Sequence, residues 1–381
     1  TMTAKSNGQS FYSNVLDNVT CGFVLRTSTG ANVKMNISDG FDIRSNRSFV
    51  AVVECSLTLA DGEAFRPEQI LTFESAVKIS VSSSHKEGDN VVRFIVSDNL
   101  EKVKNMFKVS ISSGFLLEGN ISSTGNNNYL SLGNQIFREI RMVEDMAGNK
   151  TKTVVSAYKD LQEAFDKAKS GSLLLAKFTS EQEADYYIDS TITLKKTKEY
   201  DPSGEEKEVE KTLTLTACDS EFRINRSTKF PGGRMLEIQN GTTLYIGRNP
   251  ALDAEDLYNC EGAVDDEGKS IFYSVVNNAS IIFVGKDKDA GGFIQNNGTL
   301  TLGSGSKFVD EVTDVNGAVV NNNGILTISG ATLSGNTTTG SGGAIYSRIN
   351  DQVASEVAKT VTIESGTISR NTAGLGGAIY L

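Results

Sequence analysis

Hydrophobic residues in the last third of the chain alternate with polar residues over short runs, which is the two-residue period of a β-strand. Leu300 and Leu302 form one such alternation, and Leu326 and Ile328 form the next. Glycine and asparagine separate the runs, as they do in turns between strands. The pattern predicts many short strands and few helices.

The same sequence pattern also recurs along the chain. Gly298 and Gly324 each precede a matching strand and lie 26 residues apart. Asn336 and Asn371 end two further matching segments, whose wider spacing is explained by a polar insertion at 348–359. Repeats of this length stack because none of them buries its apolar face alone. We therefore expect a right-handed, single-stranded parallel β-helix of the pectate-lyase-like type, with three short strands in each repeat.

Equal spacing places similar residues of successive repeats above one another. Asn336 and Asn371 are therefore expected to form a ladder of amide hydrogen bonds, and Tyr346 is expected to stack on Tyr380. The Gly-Gly pairs at 342–343 and 376–377 are expected to supply positive φ angles or close backbone approach at a corner.

One amphipathic helix is predicted before the repeats. Its apolar face carries Leu161, Ala164, Phe165 and Ala168. Asp160 and Glu163 are spaced as a capping box, and Gly171 provides a C-terminal stop. We expect this helix to cover the open edge of the first repeat, where unpaired strands would otherwise recruit other chains.

Residues 1–152 contain alternating segments divided by polar turns, for example at 48–53 and 90–96. This pattern predicts an immunoglobulin-like β-sandwich region of one or two modules. The predicted boundary places 153–381 in the parallel β-helix.

A net charge of −10 and an isoelectric point near 4.9 argue against nucleic acid as a partner, because such binders need clustered cations. No apolar run reaches the roughly 20 residues that span a bilayer, so no membrane insertion is expected within the sequence. It begins without a signal peptide and stops directly after a repeat, so we expect a piece of a longer secreted precursor. No cofactor motif is present.

The cysteines leave two alternatives open. Cys21, Cys55, Cys218 and Cys260 show no C-x-x-C spacing, so the sequence offers no zinc or redox motif. Two disulfides, one joining the first two cysteines and one the last two, are compatible with the sequence. Buried thiols that pack as small hydrophobic groups are equally compatible.

Two acidic clusters are the candidate catalytic or metal-binding groups: Asp310, Glu311 and Asp314, and Asp265 with Asp266. Paired carboxylates can serve in acid–base catalysis or bind Ca²⁺. The simpler interpretation is a solvated acidic surface. For this reason no catalytic residue and no metal site is assigned.

Two further observations concern aromatic residues and histidine. Tyr346 and Tyr380 are the candidate ligand-binding residues, as an aromatic strip for sugars, and the alternative is that the two rings only stack on each other. The single histidine, His85, is expected to lie in the sandwich, at the surface or with its hydrogen bonds satisfied.

The helix followed by repeated Gly-Gly-Ala-Ile-Tyr phrases at 342–346 and 376–380 resembles the β-helical regions of bacterial surface adhesins. It also resembles the polymorphic outer-membrane adhesins, whose repeats add a Phe-x-x-Asn phrase. Here Leu333 and Ile368 stand in place of that Phe, so cell-wall display is an equal alternative. The segment at 141–151 is similar to the last strand of bacterial immunoglobulin-like repeats.

The resemblance implies an extracellular, non-catalytic adhesin or stalk at the bacterial cell surface or cell wall. Its expected partner is a glycan or protein of a host or of a neighbouring bacterium. The competing hypothesis is a polysaccharide lyase or glycoside hydrolase, since such enzymes use the same fold.

Overall fold

The computed structural model describes residues 2–6, 9–13, 22–24, 42–44, 51–54, 77–81, 84–94, 104, 107–120, 128–144, 148, 150–178, 185–200, 205–218, 221–253, 263–264, 270–271, 279–286, 291–347 and 360–381. The chain divides into two compact units, Thr1–Asn134 and Gln135–Leu381. The described residues of both units are mainly β-strand, so the prediction of an all-β chain is confirmed at this level.

The first unit contains ten described strands and one 3₁₀ turn: β1 (Met2–Ser6), β2 (Gln9–Ser13), β3 (Gly22–Val24), β4 (Asp42–Arg44), β5 (Ala51–Glu54), β6 (Val77–Ser80), β7 (Asn90–Phe94), β8 (Phe107–Val109), η1 (Ile111–Ser113), β9 (Phe115–Asn120) and β10 (Asn128–Asn134). Strands β3, β5 and β7 pair in parallel, as do β4, β6 and β8. Antiparallel pairing joins β1 to β2 and joins β10 to both β7 and β9.

These pairings do not confirm the immunoglobulin-like prediction. An immunoglobulin sandwich is built from antiparallel strands, whereas four of the pairs in this unit are parallel. Alternation of apolar and polar residues indicates a strand with one buried face, but it carries no information about the direction of the neighbouring strand.

Three series of parallel strands form most of the second unit. Series A contains β13 (Ser172–Ala176), β18 (Lys211–Ala217), β21 (Thr242–Ile246), β26 (Thr299–Gly303) and the first halves of β30 (Ile325–Ser334) and β33 (Thr360–Ser369). Series B contains β14 (Asp185–Ile188), β19 (Glu221–Arg226), β24 (Ser280–Val284), β27 (Ser306–Val309) and the second halves of β30 and β33. Series C contains β15 (Ile192–Leu194), β20 (Leu236–Ile238), β25 (Ile294–Asn296), β29 (Val320–Asn322), β32 (Ile345–Tyr346) and β34 (Ile379–Tyr380).

The remaining elements of this unit flank the series. They are β11 (Phe137–Glu144), β12 (Lys150–Tyr158), α1 (Leu161–Lys167), β16 (Thr197–Tyr200), β17 (Glu206–Val209), α2 (Pro250–Asp253), β22 (Ala263–Val264), β23 (Ser270–Ile271), β28 (Val312–Thr313) and β31 (Thr337–Thr338). Strands β16 and β17 form an antiparallel hairpin that is inserted between β15 and β18.

Each strand of a series pairs in parallel with the next strand of that series. Leu300 of β26 pairs with Leu326 of β30, which reproduces the 26-residue step of the sequence, and on its other side with Leu244 of β21. All three leucine side chains are fully buried. Phe283 and Phe308 stack in the same way, with ring centroids 4.8 Å apart and planes 7° from parallel. Inward side chains of consecutive strands therefore form one continuous core.

Buried amide side chains also stack between neighbouring strands. The Asn336 side-chain nitrogen donates to Asn371 Oδ1 at 2.9 Å, as the sequence predicts. A second row was not predicted. In it, Asn296 Nδ2 donates to Asn322 Oδ1 at 2.7 Å, and Asn322 Nδ2 donates to Ser347 Oγ at 3.1 Å. These bonds satisfy the side-chain amides of Asn296, Asn322 and Asn336, which are fully buried.

The Gly-Gly pairs behave as the sequence predicts. Gly342 and Gly376 have φ angles of 74° and 59°, which L-residues with a Cβ seldom adopt. The second glycine of the earlier pair, Gly343, lies against the carbonyl oxygen of Gly377, where a Cβ would clash. The first glycine of each pair therefore has an unusual φ, and at Gly343 two backbones approach closely.

Helix α1 starts as predicted but ends earlier. The Asp160 side chain accepts a hydrogen bond from the Glu163 amide at 3.0 Å, while the Glu163 carboxylate instead pairs with Lys167. Only half of the capping box is thus made. Gly171 is not the stop, since the helix is capped at Ala168 and the Gly171 amide donates to Thr212 at the start of the parallel strands.

The boundary between the units differs from the one expected at residue 152. The hairpin of β11 and β12 belongs to the second unit, because β11 pairs along its first half with β13 of series A. Its residues Phe137 and Ile140 are fully buried in that unit. The hairpin thus covers one edge of series A, a role that the sequence analysis had given to the helix alone.

Candidate functional site

The three acidic side chains of the cluster at 310–314 do not share one environment in the fold. Glu311 is fully buried, whereas Asp310 and Asp314 are exposed. Asp310 has a φ angle of 60° and lies at the corner that follows β27. Among the described residues, no group of three His, Cys, Asp or Glu side chains is arranged to hold a metal ion.

Glu311 binds an arginine that is distant in sequence. Both oxygens of its carboxylate lie 2.9 Å from the guanidinium of Arg226 at the end of β19, and the two side chains are 0% and 3% exposed. The Gly292 amide also donates to Glu311 Oε1 at 2.9 Å. Phe230 and Phe293 flank the guanidinium, with centroids 5.5 and 5.8 Å away. A carboxylate held in this way is a structural group, since its oxygens are already occupied.

The position of Glu311 explains this role. Strand pairing aligns Phe308 with Leu333 and Leu333 with Ile368, so Glu311 occupies the place of Asn336 and Asn371 in the amide ladder. Its backbone amide donates to Asn336 Oδ1 at 3.1 Å. The ladder therefore ends in a carboxylate that reaches across to Arg226.

A second arginine lies close to this ion pair. Arg234 donates to the carbonyl oxygens of Gly317 and Asn316, each at 2.5 Å. Burial lowers the pKa of Arg234 to about 10, with a further lowering from Arg226 and an opposing effect of Glu311. Arg234 thus connects the loop before β20 to the loop before β29. Because its guanidinium is used in these hydrogen bonds, its role is structural.

Tyr346 and Tyr380 stack on each other, with ring centroids 5.4 Å apart and planes 10° from parallel. Both are half-buried and occupy the outward position of series C. Because each ring covers a face of the other, a sugar can stack only on the outer face of the pair or contact its edges. The contact predicted as the alternative to a sugar-binding strip is thus present.

The other candidate residues are dispersed. His85 is half-buried in the first unit. Cys218 is buried in the second unit, while Cys21, Cys55 and Cys260 lie outside the described residues. Asp265 and Asp266 also lie outside the described residues.

A groove of about 960 Å³ lies beside the hairpin of β16 and β17. One part of its lining comes from the end of α1 and the corner after β15, namely Asp166, Lys195 and Lys196, and the hairpin contributes Thr197, Lys198 and Glu208. Strand β20 contributes Glu237, and the corners after β20 and β25 complete the lining with Gln239, Asn240 and Asn297. We call this site the hairpin groove.

Three lysines and three carboxylates line the hairpin groove, so its formal charge is zero. Lys195 pairs with Asp166 at 3.0 Å, and Lys196 lies 4.0 Å from Glu208. The Lys196 side chain also lies against the backbone of Gly241, where a Cβ would meet it. No pattern in the sequence predicts a groove at this segment.

The floor of the hairpin groove is rich in amide groups. Gln239 and Asn297 occupy equivalent positions after β20 and β25, and Asn323 follows them after β29. Asn297 Oδ1 accepts hydrogen bonds from Gln295 and Asn323, each at 3.1 Å. These amides form a polar row on the surface.

Comparisons with known proteins identify no relative. No family model matches the chain, and no curated protein and no solved structure matches it. None of the helices in the described ranges combines the length and apolarity that crossing a membrane requires. The hairpin groove is the candidate site that the geometry supports best, because its polar groups face solvent and are not all used internally.

Proposed function

We propose that the second unit is a right-handed parallel β-helix and that the chain acts as a non-catalytic adhesin or stalk on an extracellular bacterial surface. Strands of series A, B and C follow one another along the chain in the same order six times, and each pairs with its own series. Connections between parallel strands of one sheet are right-handed in about 98% of cases, which supports the proposed hand.

One observation carries the functional part of the proposal. Glu311, one of the candidate catalytic carboxylates of the sequence, is bound on both oxygens by Arg226 inside the core. The polar groups that remain available lie on the outer surface, in the hairpin groove and along the amide row. Such a distribution suits a scaffold that presents a binding surface and does not transform its ligand.

The proposal is tested by measuring binding and turnover together. The purified 381-residue chain is applied to an array of host and bacterial glycans and, in parallel, is incubated with polygalacturonate and neutral polysaccharides. We expect saturable binding to one class of surface glycan without release of unsaturated or reducing ends.

The competing enzyme hypothesis makes a different prediction in the same experiment. Turnover that is abolished by Asp310→Ala or Asp314→Ala would overturn the adhesin proposal in favour of a polysaccharide lyase or hydrolase. Both side chains are exposed, so these substitutions should not disturb the core. A chain that binds no glycan and no cell surface would contradict the adhesin proposal as well.

A further inference from the structure

We propose that the hairpin groove binds a neutral, hydroxyl-rich glycan chain through the side chains of Glu237, Gln239 and Asn240. This inference deepens the proposed binding function and rests on it. A volume of about 960 Å³ lies at the upper end of the range of small-molecule sites, about 300 to 1,000 Å³, so several sugar rings can be accommodated.

The hydrogen-bonding groups in the groove suit sugar hydroxyls. Gln239 and Asn240 are exposed, and their side chains make no hydrogen bond to the part of the chain that the structure describes. A planar amide both donates and accepts, and the Glu237 carboxylate accepts, which matches the paired donor and acceptor of each hydroxyl group. Neighbouring hydroxyls of one sugar can therefore be bound by a single side chain.

The charges in the groove disfavour an anionic polymer. Lys195 and Lys196 each have a carboxylate within 4.0 Å. Lys198 pairs with Glu206 at 2.5 Å. Polyanion sites need clustered cations that lack such partners, because their affinity comes from neutralising phosphate, sulfate or carboxylate groups.

Apolar ligands are disfavoured by the composition of the lining. None of the ten lining residues is aromatic or aliphatic. A site without an aromatic platform binds sugars only through hydrogen bonds, each of which replaces a bond to water. We therefore expect weak affinity at a single groove, of about 0.1 to 1 mM, and stronger attachment only when several copies engage one surface.

The test uses the full chain and four defined probes, measured by isothermal titration calorimetry. The neutral probes are hexasaccharides of β-1,4-linked glucose and of N-acetylglucosamine, and the charged probes are heparin and polygalacturonate. At least one neutral probe should bind with an affinity that is almost independent of salt, since no ion pairs to the ligand are formed.

Two variants locate the site. Gln239→Ala combined with Asn240→Ala should weaken binding of the neutral probe about tenfold, as expected for two lost hydrogen bonds. Replacing 198–208 by Asn-Gly, which closes Thr197 on Val209 with a two-residue turn, removes one wall and should weaken binding at least as much. The matched control is Asp314→Ala, which removes an exposed polar side chain outside both the groove and the amide row and should leave binding unchanged.

The outcomes separate the inference from the proposed function. If the chain binds a neutral probe and the double variant binds equally well, the groove is not the site, while the adhesin proposal stands. If heparin or polygalacturonate binds more tightly than the neutral probes and with steep salt dependence, the assignment of a neutral ligand is wrong. If no probe and no glycan of the array binds, both proposals fail.

Discussion

At the scale of single residues, the second unit uses its buried charges to join distant parts of the chain. Arg226 and Glu311 are separated by 85 residues and meet in a bidentate contact. Removing one partner of a buried pair leaves the other charged and without compensation, which is more damaging than losing the attraction itself. Breaking this pair should therefore lower the free energy of unfolding more than breaking one of the exposed ion pairs around the hairpin groove.

This difference can be measured with one core variant and one surface variant. Glu311→Ala should lower the free energy of unfolding by about 3 to 5 kcal/mol, because Arg226 stays buried. Asp314→Ala, its exposed neighbour, should change it by less than about 0.5 kcal/mol. Urea denaturation followed by circular dichroism measures both. Equal midpoints for the two variants would show that Glu311 is not held as described.

The corner after series B favours a positive φ angle at three equivalent positions. Gly335 has φ 75°, and the equivalent residues Asp310 and Arg370 have φ 60° and 55°. Arg370→Gly should therefore raise stability by about 0.5 to 1 kcal/mol, while Gly335→Ala should lower it by about 1 to 2 kcal/mol. Thermal unfolding midpoints test both signs. A loss of stability in Arg370→Gly would mean that its side-chain contacts outweigh the backbone strain.

Two buried tyrosines make the second unit sensitive to alkali. Burial raises the pKa of Tyr158 and of Tyr186, and each is less than 10% exposed. The unfolded chain releases these protons near pH 10, whereas the folded chain retains them. Their contribution to stability is therefore fully present below about pH 10 and is lost as the pH rises through the folded pKa.

The alkaline effect is tested by measuring the urea midpoint from about pH 8 to pH 11. Tyr186→Phe should make the fall of the midpoint above about pH 10 shallower, although it also lowers stability at pH 8 by removing the bond from the Leu161 amide. Tyr187→Phe is the matched control, since that neighbouring side chain is 58% exposed. Identical pH dependence in both variants would rule out the role of Tyr186.

At the scale of strands, the pairing register is the feature that most of the other conclusions depend on. Thr301 and Thr327 are partners in adjacent parallel strands and point away from the core. Neighbouring strands lie about 4.8 Å apart, which is within the range of Cα separations that a disulfide accepts. Thr301→Cys with Thr327→Cys should cross-link under mild oxidation, as detected by peptide mapping.

The control for this cross-link changes the register. Thr301→Cys with Asn323→Cys places the second cysteine four residues before the paired position, in the corner, and should remain reduced. In the paired variant, closing a loop of about 26 residues should stabilise the fold by about 3 kcal/mol. Cross-linking of the control pair and not of the paired variant would require a different register.

The strand scale also shows what the sequence could predict. The stacking of Leu300 on Leu326 and the ladder of Asn336 and Asn371 were predicted, because equal spacing of short alternating runs determines which residues become neighbours. The parallel strand pairs of the first unit were not predicted, because alternation of apolar and polar residues indicates a buried face but not the direction of the neighbouring strand.

The candidate site was harder to predict, because its residues are not periodic. The role of Glu311 depends on its contact with Arg226, and no repeat in the sequence predicts that contact. Aligning the segments that end at Glu311 and Asn336 would, however, have indicated that Glu311 occupies a ladder position. The hairpin groove combines a helix end, a hairpin and three corners. Only the fold brings such segments together.

At the scale of the whole second unit, stability is expected to vary along the stack. In β26 and in the first half of β30 every second side chain is fully buried, as in Leu302 and Ile328. In β33 most side chains are exposed, and Ile363, the partner of Ile328, is 48% exposed. Among the described strands β33 pairs only with β30, and a strand with one such neighbour makes fewer stabilising contacts, so the strands of the 381-residue chain are expected to open at different free energies.

Hydrogen exchange measured by mass spectrometry tests this gradient. Amides in peptides covering β33 and β34 should exchange faster than those of β30, and amides of β26 and β21 should exchange most slowly. Ile363→Lys should speed exchange in β33 with little effect on β21, because contacts in such an array extend mainly to the adjacent strand. Strong protection of β33 that rises with protein concentration would contradict the gradient and would show that a second chain covers this edge, as expected for an exposed strand with apolar side chains.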